Sequence, residues 1–416
     1  MNINCERLWE WMQYLSNFGA EPNRPDLGIT RQSYSPVYRA AGEALMRRMN
    51  ELGMHTWIDA AGNIFGRLEG TGKGAPCVMV GSHFDTVPRG GRYDGLAGVV
   101  AALEAVTCIK ESGLSHHYPI ELAALVNEEA CQFKGGVMGS RAMAGLLALD
   151  HPQKTFDNNG NCLADAMRSF GARPDVLTQA VRSRGDLLAF LELHIEQASL
   201  LDEQALPVGI VTSIAGIHQL LVYLHDRADH AGGTPLNRRR DTLAAAAKIA
   251  CDVNDLAASA SPNTRGTVGY IRSVPGEHNI VAAESEMAVD FREADPDIRN
   301  KLYADFLQVV DSACKHFNVD YEIKLTLDRP PVVSDARIMA LYHQSAQNNG
   351  IPCMDLISYA AHDSMILANL CPIGMIFIRC EKGLSHCPQE NIRQSDLESG
   401  TQILLDALNW CAVNGL

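Results

Sequence analysis

Four short apolar runs punctuate this chain: CVMVGSH (77–83), IELAALVNEE (120–129), LLAFLELHIEQ (187–197) and PIGMIFIRC (372–380). Each is apolar at successive rather than alternate positions, the pattern of a strand buried on both faces. Helical stretches lie between them. LAGVVAALEAVTCIKESG is closed by Gly113, and GSRAMAGLLAL spans 139–149. The alternation implies an α/β layer with a largely parallel central sheet.

The pattern changes near residue 213. From there the chain reads as strand (HQLLVYLHDRA), helix (RDTLAAAAKIACDVNDLAAS), strand (TVGYIRSV), strand (SEMAVDFRE), helix (PDIRNKLYADFLQVVDSACKHF) and strand (VDYEIKLTL). This βαββαβ order is ferredoxin-like: one antiparallel sheet with two helices on one face. Asp295 and Pro296 form a cap and first-turn pair for its second helix. DRPPVVSD then breaks the pattern as a linker does. The α/β pattern returns in PIGMIFIRC and in the C-terminal helix DLESGTQILLDALNWCAVNG. The expected organisation is a discontinuous α/β domain, 1–212 and 330–416, interrupted by a smaller domain over 213–329.

The 416 residues carry a formal net charge of -14, which argues against nucleic acid or an anionic membrane as partner. No apolar stretch approaches the roughly 20 residues of a membrane span. The N-terminal stretch reads as an amphipathic helix rather than a signal peptide. The 12 cysteines include no C-x-x-C pair, so free thiols in a reducing cytoplasm are expected.

In open α/β sheets, ligands bind beyond the carboxyl ends of the strands. His83, Glu128 with Glu129, His194, and His386 in GLSHCPQE each follow an apolar run. Asp94 joins them through the bend GSHFDTVPRGGRYDG, where Gly90 and Gly91 let the chain turn back. A lone histidine or a lone Glu-Glu pair is commonly structural or solvated; successive strand ends delivering them to one edge is the informative fact. Histidine and carboxylate donors suit first-row divalent ions, and one Asp can bridge two of them. Asp85, two residues from His83, is placed to accept the other ring N–H. One of Glu128 and Glu129 would be a ligand and the other a proton-transferring base; the residue types leave open which.

These residues, in this order, resemble the dinuclear metalloamidases of the amidase/hydantoinase/carbamoylase family. That family includes N-carbamoyl-L-amino-acid hydrolases, allantoate amidohydrolases and β-ureidopropionases, and it is related to the aminoacylase-type metallopeptidases. The resemblance rests on GSHFDTVPRGGRYDG, NEEACQF…GSRAMAG, LELHIEQ, DHAGGTPLNRRRDT, NIV…VDFRE, AAHDS and GLSHCPQE. It implies an aminopeptidase-like α/β catalytic domain and a ferredoxin-like lid that also forms a homodimer. It implies two divalent ions per subunit, zinc first, with manganese, cobalt or nickel compatible. His83 and His194 would hold one ion, Glu129 and His386 the other, and Asp94 would bridge them. Glu128 would be the general base and Asp85 the support of His83. His230, in DHAGG, would stabilise the oxyanion. Gln197, Asn279 and Arg292 would hold the substrate, Arg292 by clamping a carboxylate.

The chain departs from the family pattern in places. Tyr359-Ala360-Ala361-His362-Asp363-Ser364 replaces a glycine-rich GAGHDA whose backbone approaches the substrate carboxylate in relatives, so the resemblance implies that side chains here, Ala361 among them, would narrow the pocket. Ala130-Cys131-Gln132 replaces GSR, Ala198 replaces a glycine, and Arg379-Cys380 replaces PS. His218, counted with Gln197, Asn279, Arg292 and Ala361 among the expected substrate-binding residues, stands where many relatives have Arg or Gln. The expected activity is hydrolysis of the carbamoyl C–N bond of N-carbamoyl-L-amino acids. Allantoate or a β-ureido acid is the alternative substrate. An aminoacylase, a dipeptidase, or a non-catalytic binding protein on the same fold ranks lower.

Overall fold

The computed structural model describes residues 1–416, the side chain of Pro25 excepted. Its strands are β1 (His55–Ile58), β2 (Ile64–Leu68), β3 (Cys77–His83), β4 (Ile120–Leu125), β5 (Leu187–Ile195) and β6 (Val208–Ile214). Then come β7 (Gly216–His225), β8 (Asp229–His230), β9 (Arg265–Val274), β10 (Ile280–Val281), β11 (Glu284–Glu293), β12 (Asp320–Arg329), β13 (Val332–Val333), β14 (Cys353–Ser358) and β15 (Ile373–Ile378). The chain divides into two compact units, Met1–Thr212 with Ser334–Leu416, and Ser213–Val333.

In the larger unit the sheet runs β1-β2-β4-β3-β5-β15-β6, with β14 also on β6. The pairs β3–β4, β3–β5 and β5–β15 are parallel. The flanking pairs β1–β2, β2–β4 and β15–β6 are antiparallel. The parallel centre is the set of continuous apolar runs, and every residue of β3, β4 and β15 is buried. Each such Val, Leu or Ile contributes roughly 1.5–3 kcal/mol over its exposed state. The helix Leu96–Ser112 is apolar on nearly all sides and almost wholly buried, and Gly113 ends it with φ 67°.

One predicted helix is cut short. GSRAMAGLLAL is helical only over Met138–Met143. Gly145, at φ +69°, reverses the chain, and the leucines beyond it reach solvent at Leu146 and Leu149. Apolar content alone does not carry a helix past a left-handed glycine.

The smaller unit is the βαββαβ fold, an antiparallel sheet in the order β12-β7-β11-β9. Its helices, Thr242–Ala260 and Pro296–Phe317, pack on one face against Leu220, Val222, Leu224, Met287, Val289 and Phe291. Asp241 and Asp295 cap the helices by accepting from backbone N–H groups in the first turn. β13 pairs Val332 with Ile214 and Val333 with Ser213 of β6. No helix among the described residues is long and apolar enough to cross a membrane.

Candidate active site

Neighbouring parallel strands bring the two buried histidines together. β3 and β5 pair Val80 with Leu191, and three residues further along this register bring His83 level with His194. Their Nε2 atoms lie 3.2 Å apart. Asp94 Oδ1 is 3.3 Å from the first and 3.1 Å from the second. The other Asp94 oxygen is 3.3 Å from His386 Nε2, which lies 3.5 Å from Glu129 Oε2. Two triads thus overlap on one carboxylate, His83–Asp94–His194 and Asp94–Glu129–His386, each able to hold a metal ion.

The residues present fit such ions. Asp94 Oδ1 and Glu129 Oε1 are buried without any hydrogen-bond partner, although nitrogens stand close to the first. A buried carboxylate oxygen left unpaired is costly unless something else satisfies it. Imidazole and carboxylate donors are what zinc, manganese and similar ions take. Glycine clears the space: a Cβ on Gly95, itself at φ +65°, would stand 2.4–2.5 Å from the His83 ring. The bend therefore works differently from the sequence expectation. Neither Gly90 nor Gly91 has a left-handed φ, and that role falls to Arg89 and Gly95.

The charges are mutually dependent. Burial would favour neutral Asp94, but His194, His386 and His83 hold its carboxyl well below the usual range. Burial disfavours a charged His83, and Asp85 with Asp94 overrides this to raise it. Hydrogen bonding to Asp94 pushes His386 up to about 9. Burial, and then the nearby Asp94 charge, raise Glu129 to about 7. Burial lifts Glu128 well above the ordinary carboxyl range; His83 opposes the shift and Glu129 adds to it.

Asp85 does more than the sequence suggests. The acceptor nearest His83 Nδ1 is the Asp85 carbonyl oxygen, at 3.2 Å, with the carboxylate at 3.7 Å. The carboxylate itself accepts from the backbone N–H of Glu128 and of Glu129, each at 3.2 Å. It fixes the turn that presents both glutamates, between Asn127 and Ala130, which sit at φ 54° and 55°. Gln197, at φ 57°, donates to Asp94 Oδ2 at 2.7 Å, and its buried Oε1 has no partner. Ala361 lies in the loop before the helix Asp363–Leu367, where His362 Nε2 meets Ser358 Oγ at 2.9 Å. The His362 ring packs edge-on against His194 with centroids 4.6 Å apart. Burial holds this imidazole well below its ordinary pKa.

The smaller unit brings His230 and Asn279 together. Ala231 N–H donates to the Asn279 carbonyl at 2.9 Å, and β8 pairs with β10 beside them. His230 Nδ1 accepts from the N–H of Gly232 at 3.1 Å and of Gly233 at 2.9 Å. An accepting Nδ1 leaves the proton of the neutral ring on Nε2, as a donor. Arg292 is paired with Asp290, Nε to Oδ1 at 2.9 Å.

His218 does not join them. It shares the face of β7 with Leu220, Val222 and Leu224, is 3% exposed, and lies with its ring tilted against that of Tyr303 in the covering helix, centroids 5.0 Å apart. Arg292 lies on the opposite face, because β11 buries Met287, Val289 and Phe291. His218 and Arg292 therefore do not lie side by side on one face of this sheet, and His218 Nε2 faces Asp328 Oδ1 at 3.2 Å.

Sequence reasoning also passed over Glu390 and Ser385, which flank His386 in the quoted motif GLSHCPQE and touch the Asp94 segment. No local signal marks them, because their partners lie nearly three hundred positions away in the chain.

Residues 79–410 match the peptidase family M20/M25/M40. The chain is 38% identical over 413 residues to the N-carbamoyl-L-amino acid amidohydrolase of Geobacillus stearothermophilus, covering 99% of this chain and 100% of that one. It is 32% identical over 401 residues to the allantoate amidohydrolase of Bacillus subtilis (strain 168), covering 96% of each. Its fold matches the crystal structure of an amidase of the hydantoinase/carbamoylase family from Burkholderia multivorans, with a TM-score of 0.90 and 28% identity. That match covers 100% of this chain and 99% of the other. The family match takes in every residue of both ligand triads, and the chain belongs to the peptidase family M20/M25/M40.

Proposed function

We propose that this protein hydrolyses the carbamoyl C–N bond of N-carbamoyl-L-amino acids, yielding the amino acid, carbon dioxide and ammonia. The observation that carries the reading is the pair of triads sharing Asp94, with Glu128 beside them, in a chain similar along its whole length to an enzyme of that name. The family is metal-dependent. Two divalent ions are proposed, zinc first, with manganese, cobalt or nickel as alternatives. His83 and His194 would hold one, Glu129 and His386 the other, and Asp94 both. When bound, such ions polarise a carbonyl oxygen and make water a stronger nucleophile.

The chain's own groups do the rest. Glu128 takes a proton from the attacking water and returns it to the leaving nitrogen as the C–N bond breaks. The carbamate released from the other side decomposes to carbon dioxide and ammonia. His230 presents Nε2–H to the oxyanion of the tetrahedral intermediate. Arg292 clamps the substrate carboxylate, Gln197 and Asn279 hydrogen-bond its polar groups, and Ala361 lines the wall. A homodimer through the smaller unit, and a lid role for that unit, belong to the same proposal. So does a reducing cytoplasmic setting.

A panel of N-carbamoyl-L-amino acids against allantoate, with ammonia release measured under defined metals, tests the reading. Turnover of allantoate alone would move the assignment to the allantoate amidohydrolases, whose Bacillus subtilis member is a full-length relative. Cleavage of N-acyl amino acids or dipeptides without ammonia would overturn both.

A further inference from the structure

We propose that Glu390 is a positioning residue that fastens two ligand-bearing loops together and so sets the occupancy of one half of the metal centre. The inference rests on the two-ion reading above. Glu390 is 4% exposed, yet its carboxylate is spent on two distant stretches of chain rather than on a cation. Oε1 accepts the backbone N–H of Tyr93 at 2.8 Å and of Asp94 at 3.1 Å. Oε2 lies 3.0 Å from Ser385 Oγ, which is itself 2.9 Å from Asp94 Oδ2. One hydroxyl has one proton, so Ser385 shares it between two carboxylates and locks their spacing. The loop carrying Asp94 and the loop carrying His386 are nearly three hundred positions apart in the chain, and this cluster joins them.

A glycine makes room for the joint. A Cβ on Gly91 would fall 2.0 Å from both Cδ and Oε1 of Glu390. Gly91 is thus the space that the carboxylate occupies.

The two triads depend on this joint unequally. His83 and His194 are held by strands and are 2% and 1% exposed. The side chain of His386 is 48% exposed and its backbone is left-handed, at φ 56°. With Glu390 gone, the strand histidines stay where β3 and β5 put them. The Asp94 Oδ2 edge and His386 lose their common anchor. The loss falls on the Asp94–Glu129–His386 triad. Groups of this kind, one bond behind the ligands, change metal affinity by roughly 10–100-fold.

The test is a zinc titration of the full-length chain against a chromophoric chelator, with ions per chain counted by elemental analysis. Wild type is expected to bind two ions. Glu390→Ala should keep one at wild-type affinity and bind the second at least about tenfold more weakly. Glu390→Gln, which keeps the shape and the Oε1 acceptor, should recover most of the loss. Gly91→Ala displaces the carboxylate without altering it and should phenocopy Glu390→Ala. The double variant should then be no weaker than either single one. Circular dichroism establishes that each variant is folded, and Gly91→Ala serves if Glu390→Ala is not. Two ions at wild-type affinity in folded Glu390→Ala, equal loss of both, or multiplying losses in the double variant would each overturn the inference. If wild type itself binds fewer than two ions, the two-ion reading falls and takes this inference with it.

Discussion

Glu128 and Glu129 are adjacent, identical in chemistry, and separated only by where the chain turns. Asp85 pins both backbone N–H groups, so the two carboxyls cannot exchange places. Glu129 reaches His386, while Glu128 is raised by burial and interacts with His83. The assignment predicts a split. Glu128→Gln is expected to keep two ions per chain and lose turnover by about 10²–10⁴-fold. Glu129→Gln should instead lose an ion. Metal analysis beside steady-state kinetics distinguishes them, and full activity in Glu128→Gln would refute the base. The next residue carries a different expectation. Ala130 stands at φ 55°, where a Cβ costs about 1–2 kcal/mol. Glycine removes that strain but gains freedom in the unfolded chain. Ala130→Gly should therefore stabilise the protein by about 0.5–1 kcal/mol in urea denaturation, and a fall in stability would show that the turn is not strained.

At the scale of elements, the loop carrying His230 has its own clamp. Arg239 Nε donates to the Thr234 carbonyl at 3.0 Å, and Nη2 donates to that of Ala231. The guanidinium ties both ends of the turn whose N–H groups orient His230. Arg239→Met is expected to lower kcat by about tenfold with a smaller change in KM. Combined with His230→Ala it should add little, because both act on one donor. Independent, multiplying effects in that cycle would separate Arg239 from His230. What the sequence revealed follows from the range of each interaction. β3, β4, β5 and β15 were readable because burial on both faces writes a continuous apolar run, and their ends located His83, Glu128, Glu129 and His194. The parity of His218 with Leu220, Val222 and Leu224, which sets it on the packed face of β7, was available in the sequence. Glu390 could not be read, since its partners are backbone groups of Tyr93 and Asp94 and no local pattern records them.

On the scale of the whole molecule, the chain holds two separate apolar cores, one built on the central parallel strands and one between the antiparallel sheet and its two helices. All five proposed ligands belong to the first unit. Ions that bind only the folded state stabilise it by about 2.7 kcal/mol for each site held at a hundred times its dissociation constant. Removing them also leaves Asp94 and Glu129 close together with buried, unsatisfied oxygens. Chelation is therefore expected to destabilise the metal-bearing unit selectively. Hydrogen exchange should quicken in Cys77–His83 and Leu187–Ile195 after exhaustive chelation and slow again when zinc is restored. The strands of the second sheet, β7, β9, β11 and β12, should exchange at unchanged rates, because their core contains no ligand. Equal acceleration in both sheets would mean that the two cores unfold as one cooperative unit and that the ions stabilise the chain as a whole.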